Sequence, residues 1–215
     1  MTVVDFTTER PYRALIGPGA LDRLGEHVRD AALVGILHAP PLASAARRAG
    51  DLVRTAGAEP VLIELPDGEA AKTPQVLARC WSALAVAGFT RSDLVVGIGG
   101  GATTDLAGFI AATWMRGIRW VSAPTTVLAM VDAGIGGKTG ADLPEGKNLI
   151  GAFWEPSAVL ADTGLLAGLP VDDVRAGLDP DVKVLICAGA EGTAFSGGEQ
   201  WADAELVAAV SSFVA

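Results

Sequence analysis

Residues 94–126 read LVVGIGGGATTDLAGFIAATWMRGIRWVSAPTT, and this stretch predicts a strand, a glycine turn, a helix and a second strand. Leu94-Val95-Val96-Gly97-Ile98 is a continuous apolar run, the pattern of a strand buried on both faces. Gly99-Gly100-Gly101 ends it, residues 104–115 carry a helical pattern, and 119–123 form the next strand-like run. A strand that ends in glycines at the mouth of a helix makes an anion cradle. Glycine lets the backbone approach closely, and the first helical N–H groups have no intrahelical partner.

The same alternation extends toward the N-terminus. Residues 12–16 read as a strand closed by Gly17-Pro18-Gly19, and 20–28 as a helix. Residues 32–37 are a second apolar run, and Pro40-Pro41 opens a helix to residue 56. Residues 60–65 are strand-like, and Thr73 caps a helix that starts on Pro74 and ends near Gly88. Strands alternating with helices of this length predict an α/β fold: a Rossmann-like parallel sheet with helices on both faces. Ligands of such sheets bind beyond the carboxyl ends of the strands. Three turns fall there, Asp67-Gly68-Glu69, Gly99-Gly100-Gly101 and Pro124-Thr125-Thr126, and they are expected to converge on one rim.

Beyond Pro170 the texture changes. Residues 171–185 have a helical pattern interrupted by Pro180, 189–198 are small and polar, and 200–215 are again helix-like. The expected division is an α/β domain over 1–169 and the start of a C-terminal helical domain over 170–215.

Composition narrows the function. A chain of 215 residues, 50% hydrophobic and 6% aromatic, can bury a sizeable core. Its net charge of -9 disfavours a nucleic-acid partner, because phosphate neutralisation drives that binding. Cys80 and Cys187 are far apart, which argues against a disulfide scaffold and a cysteine metal cluster and fits a reducing cytoplasm. MTVVDFTTER lacks the features of a signal peptide, and no apolar run approaches the ~20 residues of a membrane span. The expectation is a cytoplasmic protein with no membrane partner.

Several side chains carry the candidate chemistry. Lys138 in GGKTG and Lys147 in EGKN stand in glycine-rich turns, where a lysine suits an anionic ligand or is simply a solvated loop residue. Asp132 follows the apolar residues 127–131, where a carboxylate is costly to bury. It would orient a hydroxyl, pair with Lys138, or cap a helix toward solvent. Asp105 reads as an N-terminal helix charge or as a ligand to a hydroxyl or amide. Glu69 and Lys72, three apart, read as a solvated ion pair or as a grip on ribose and phosphate. His27 reads as a surface residue, His38 as the end of a strand, with contact to a ligand the lesser alternative, and Cys80, next to Trp81, as core. The GGG turn matches neither G-x-G-x-x-G, whose third glycine falls on Thr104, nor the P-loop. Motif rules alone stop at a phosphate-containing ligand on an α/β rim.

Four segments taken together resemble 3-dehydroquinate synthase and its sugar-phosphate cyclase relatives: PDGEAAKT (66–73), GGGATTDLAGF (99–109), APTTVLAMVDAGIGGKTG (123–140) and EGKNLIGAFWEPSAVLAD (145–162). The likeness covers residues 12–178. The relatives include the valiolone, inosose and aminodehydroquinate synthases. The resemblance implies an NAD-binding α/β domain followed by a helical domain that holds a divalent metal, zinc or cobalt. It implies a lyase that closes 3-deoxy-D-arabino-heptulosonate 7-phosphate to 3-dehydroquinate with release of phosphate. That reaction belongs to the shikimate pathway of aromatic amino acid biosynthesis. NAD oxidises one hydroxyl transiently and takes the hydride back, so it acts catalytically.

Carried over by match, Asp67, Gly68, Glu69 and Lys72 contact NAD. Gly99, Gly100, Gly101 and Asp105 take its diphosphate and nicotinamide side, and Thr125 and Thr126 contact it too. Asp132, Lys138, Lys147 and Asn148 face nicotinamide or substrate, and Lys183 keeps the place of a family lysine. The resemblance also implies a homodimer and a small sugar phosphate as the partner molecule. Two departures stand out. The family's V-D-S-S-[VI]-G-G-K-T is Val131-Asp132-Ala133-Gly134-Ile135-Gly136-Gly137-Lys138-Thr139 here, without either hydroxyl. The family's metal-binding glutamate, in G-[LM]-A-E-V-[IV]-K, falls on Pro180, and its metal histidines fall past Ala215. The chain is therefore expected to offer no metal site and, alone, no turnover. A related cyclase acting on another sugar phosphate and a non-catalytic NAD-binding or interaction homologue stay open beside this reading. A glycerol-dehydrogenase-like reading fits the GGKT and GKN boxes less well.

Overall fold

The computed structural model describes residues 1–170, 173 and 174. The expected helical domain over 170–215, with Pro180, Lys183 and Cys187, lies almost wholly outside the described residues. The elements that position the rim are β1 (Thr2–Phe6), β2 (Tyr12–Ile16), β3 (Leu33–His38), α1 (Ala43–Thr55), β4 (Glu59–Glu64), α2 (Pro74–Ala87), β5 (Leu94–Gly99), α3 (Gly101–Thr113), β6 (Arg119–Pro124), β7 (Lys138–Leu143), β8 (Gly146–Phe153) and β9 (Ala158–Ala161). Seven strands form one sheet in the order β1-β2-β9-β6-β5-β3-β4. Within this sheet, among the described residues, β1–β2 is antiparallel and every other pair is parallel.

The apolar run of β5 divides its side chains between two cores. Leu94, Val96 and Ile98 pack on one face with Ala46, Ala49 and Val53 of α1. Val95 packs on the other with Leu77, Cys80 and Leu84 of α2 and Leu106, Ala107 and Ile110 of α3. Period-two alternation within a fully buried strand thus gives helices on both faces, as expected. Gly97 allows α3 to lie close on the sheet: a Cβ there would stand 2.6 Å from the Cβ of Ala107. The caps of α2 are those read from sequence. The Val76 N–H donates to Thr73 Oγ1 at 3.3 Å, Pro74 opens the helix, and Gly88 ends it in the left-handed region at φ +81°.

Some elements differ from the sequence reading. The segment expected as a helix over 20–28 is a 3-10 helix, Ala20–Glu26. Helix α3 begins at Gly101, three residues before the expected start. Strands β1 and β9 were not foreseen. The largest difference is β7 and β8, which make a separate two-stranded antiparallel sheet with an irregular register between Ala141 and Leu143. Lys138 and Lys147 therefore sit in strands rather than glycine loops. Gly140 and Gly151 face each other across the pair, and a Cβ on Gly140 would come within 2.7 Å of the Ile150 carbonyl oxygen. The glycines serve close backbone approach, and a hairpin without an apolar run leaves no strand signal. Among the described residues, no helix is long and apolar enough to cross a membrane.

Candidate functional site

A cleft of about 790 Å³ opens at the carboxyl end of the sheet. The turns after β3, β4, β5, β6 and β9 all reach it, through Pro41, Asp67 and Gly68, Gly100 and Thr103, Thr125 and Thr126, and Gly164. The three turns singled out from sequence therefore converge. Gly100 is the N-cap of α3, and among the described residues no side chain caps that helix. The Thr103 and Thr104 N–H groups donate to the Gly100 carbonyl, which leaves the N–H groups of Gly101 and Ala102 at the positive end of the helix dipole, with Ala102 lining the cleft. Side chains would close this cradle: a Cβ on Gly99 would lie 2.5 Å from Thr103 Oγ1, and one on Gly100 would lie 3.2 Å from the Thr126 methyl. The Thr125 N–H donates to the Gly99 carbonyl at 2.9 Å, and Thr126 Oγ1 accepts from the Ala129 N–H at 3.2 Å. An uncapped helix end, bare glycines and two hydroxyl-bearing residues fit a dinucleotide diphosphate.

A second cleft, of about 560 Å³, lies beside the first, and the two share the opening turns of α3. Asp105, Asp132, Ala133, Lys138 and Asn148 line it. Asp132 stands on a π-helical turn, Ala129–Ala133, and is exposed, not buried among its apolar neighbours. The turn directs Ala129 and Met130 inward and Asp132 outward, so no desolvation cost arises. Among the described residues, Asp132 and Lys138 line the same cleft without forming an ion pair. Between them, the Gly136 N–H donates to Tyr12 Oη at 2.9 Å, with Gly136 at φ +85°. Tyr12 is itself stacked on Phe6 with ring centroids 4.6 Å apart. Burial raises the Tyr12 phenol above its ordinary value, and the Gly136 bond opposes that shift.

Lys72 is the buried charge that holds two residues lining the second cleft, Asp105 and Asn148. Glu69 and Lys72 do not pair with each other, which corrects the local reading. The segment Gly68–Ala71 is a 3-10 turn, after which the Lys72 side chain turns inward and is 5% exposed. Its Nζ donates to Asp105 Oδ2 at 2.8 Å and to Asn148 Oδ1, and lies 3.8 Å from Asp142 Oδ1. Glu69 instead accepts from Lys147 Nζ at 3.0 Å, with both side chains well exposed. That partner raises the Lys147 ammonium pKa. Consecutive residues of the hairpin, Lys147 and Asn148, are thus held by two residues of one turn. Asp105 lies in the second turn of α3 rather than at its start, because the helix begins early. Burial raises its carboxyl above the usual range, the Lys72 ammonium opposes this, and Glu69 and Asp132 add to the rise.

Other candidates stand apart. His38 is buried, and its Nδ1 lies 2.9 Å from the Ala39 carbonyl oxygen. His27 is half-buried, with Nε2 enclosed and without a partner among the described residues, and burial lowers its pKa. Cys80 is core, and burial pushes its thiol up to about 11. Among the described residues, no group of three His, Cys, Asp or Glu side chains is placed to hold a metal ion. The sequence reading missed Tyr12 and Asp142. Asp142 stands between small residues and Leu143-Pro144, with no motif to mark it. Tyr12 is distant in sequence from the loop it holds.

Comparison with known proteins follows the same lines. The family model described as 3-dehydroquinate synthase N-terminal matches residues 62–176. A second model, lacto-N-biose phosphorylase central domain, matches residues 166–215. A 3-dehydroquinate synthase from Cutibacterium acnes is 52% identical over 188 residues, covering 85% of this chain and 49% of that protein. The chain spans about half the length of the curated relatives it matches. Among solved structures, 2-deoxy-scyllo-inosose synthase complexed with carbaglucose-6-phosphate, NAD+ and Co2+ aligns with TM-score 0.82 at 22% identity, over 99% of this chain and 60% of that one. The 2-epi-5-epi-valiolone synthase of Streptomyces hygroscopicus with NAD+ and Zn2+ bound aligns with TM-score 0.71 at 24% identity, over 98% of this chain and 62% of that one. These two likenesses establish the fold.

Proposed function

The chain belongs to the 3-dehydroquinate synthase family, and from that premise we propose that it is the cofactor-holding part of an NAD-dependent sugar-phosphate cyclase. The observation that carries the reading is the convergence of Asp67-Gly68, Gly100 and Thr125-Thr126 on one cleft that borders a second cleft holding Asp132 and Lys138. In this reading the α3 N-terminus and Gly99, Gly100 and Gly101 hold the diphosphate of NAD, with Thr125 and Thr126 beside it. Asp67, Gly68, Glu69 and Lys72 border the cofactor, and Asp105 reaches its nicotinamide end. When bound, NAD supplies a reversible oxidation of one substrate hydroxyl. Lys138 and Lys147 attract the substrate phosphate, Asn148 offers an amide, and Asp132 orients a hydroxyl of the sugar. The family substrate is 3-deoxy-D-arabino-heptulosonate 7-phosphate, and the product is 3-dehydroquinate.

The metal fits less well. The described residues offer no ligand cluster, and Pro180 stands where the resemblance expects a glutamate. The 215-residue chain alone is expected not to turn over. Titration calorimetry with NAD is the direct test: saturable one-site binding is expected, and no heat at millimolar NAD would overturn the reading. Phosphate release from the family substrate with added zinc and NAD is expected to stay at background. Homodimer formation belongs to the same reading and is checked by analytical ultracentrifugation.

A second reading, cyclisation of a different sugar phosphate, is favoured by one observation. A Cβ on Gly134 would lie 2.6 Å from the Ala129 carbonyl oxygen, so this loop has no room for the family's second serine. Tests with glucose 6-phosphate and sedoheptulose 7-phosphate on a complete relative carrying this loop would separate the two.

A further inference from the structure

We propose that Asp142 is a positioning residue that sets Lys72 and Asn148 for the ligand. The inference rests on the cofactor reading above, because Lys72 holds Asp105 and Asn148, which line the second cleft.

Asp142 does not line the second cleft itself, yet its contacts hold Asn148, which does, and Lys72, which in turn holds Asp105 and Asn148 of that lining. Its backbone N–H donates to the Lys72 carbonyl at 2.7 Å, tying β7 to the end of the turn Gly68–Ala71. Its carboxylate Oδ1 accepts from the Asn148 N–H at 2.7 Å. The same oxygen faces the Lys72 ammonium at 3.8 Å, with the Asp142 side chain 16% exposed. The bond to Asn148 has a definite task. Asn148 has φ +56°, in the left-handed region, which asparagine tolerates better than most non-glycine residues but which departs from the extended backbone of a strand. The register irregularity between Ala141 and Leu143 puts Asp142 out of the regular ladder, which leaves its side chain available to take that amide. Held so, Asn148 turns its side-chain oxygen onto Lys72 Nζ. Without the carboxylate, Asn148 is released to the extended conformation usual in a strand, and Lys72 keeps only Asp105 as an anchor.

The test uses the 215-residue chain, with NAD as the probe and amide hydrogen exchange as an independent readout. In the wild type the Asn148 amide is expected to be protected despite its exposed position. Asp142→Ala is expected to lose that protection and to bind NAD roughly tenfold more weakly, the scale of one charged hydrogen bond. Asp142→Asn keeps an acceptor oxygen and is expected to recover protection and affinity to within about threefold. Val53→Ala, a core change in α1 on the other face, controls for lost stability and is expected to leave the NAD affinity unchanged. An unprotected Asn148 amide in the wild type overturns the inference. So does an Asp142→Ala chain that binds NAD within twofold of wild type, or one whose loss Val53→Ala reproduces. If Asp142→Ala does not fold, the wild-type exchange and Asp142→Asn decide. If the wild type binds no NAD, the cofactor reading fails by itself and Asp142 is judged on the exchange measurement.

Discussion

Lys72 Nζ lies 2.8 Å from Asp105 Oδ2, across 33 positions of sequence, with the two side chains 5% and 21% exposed. A pair this sheltered depends on both members, because removing one leaves the other charge uncompensated. Lys72→Met is expected to lower unfolding stability by about 2–3 kcal/mol, read from urea denaturation. Protonation of Asp105 absorbs part of the cost, since burial already raises its carboxyl and Lys72 is what opposes the rise. In the variant the Asp105 carboxyl should titrate at higher pH, as seen by carboxyl NMR. A stability loss below 0.5 kcal/mol would show that the pair carries little.

Glu69 and Lys147 make the opposite case. The pair is 3.0 Å long but 55% and 70% exposed, so solvent screens it. Lys147→Ala is expected to change stability by less than about 0.5 kcal/mol. It should still weaken binding of inorganic phosphate measured by calorimetry. If stability fell sharply and phosphate binding held, Lys147 would be a structural residue.

The loop at 133–134 separates two serine replacements. Gly134→Ser would drive its Cβ against the Ala129 carbonyl oxygen at 2.6 Å and Pro124 Cβ at 2.9 Å. The expected cost is about 1–3 kcal/mol of overpacking. Ala133 is half-buried and lines the second cleft, so Ala133→Ser is expected to stay within about 0.5 kcal/mol of wild type. Denaturation curves of the two variants check this directly, and equal stability would mean that the loop adopts another conformation.

Stability should also fall in alkali through Cys80. Its folded thiol titrates at about 11 against an ordinary 9.0, so the folded chain holds that proton more tightly than the unfolded one. The contribution is fully present below pH 9 and is lost as pH rises toward 11. Two pH units correspond to about 3 kcal/mol. Cys80→Ala should flatten this part of the stability–pH curve relative to wild type. Parallel curves would show that the thiol does not titrate differently on folding.

Local patterns carried most of the fold. The run Leu94-Val95-Val96-Gly97-Ile98, the cap Thr73-Pro74 and the stop at Gly88 each act over a few residues, and each is found where its pattern predicts. The turns at 67, 99 and 124 could be assigned to one rim because parallel strands put all their carboxyl ends on the same side. The hairpin of Lys138–Leu143 and Gly146–Phe153 was hidden because Gly140 and Gly151 pair by backbone approach, leaving no apolar alternation to read.

The sequence by itself therefore determined the α/β sheet, its cradle at Gly99–Gly101 and the residue types gathered around it, since propensity and hydrophobic period act between near neighbours. Only the tertiary structure decided which charges meet. Sequence spacing offered Glu69 to Lys72, three residues away. Folding instead gave Lys72 to Asp105, Asn148 and Asp142, and Glu69 to Lys147. The reason is burial: a lysine turned inward needs partners inside, and only the packing of α3 and the hairpin against the 68–71 turn brings them within reach.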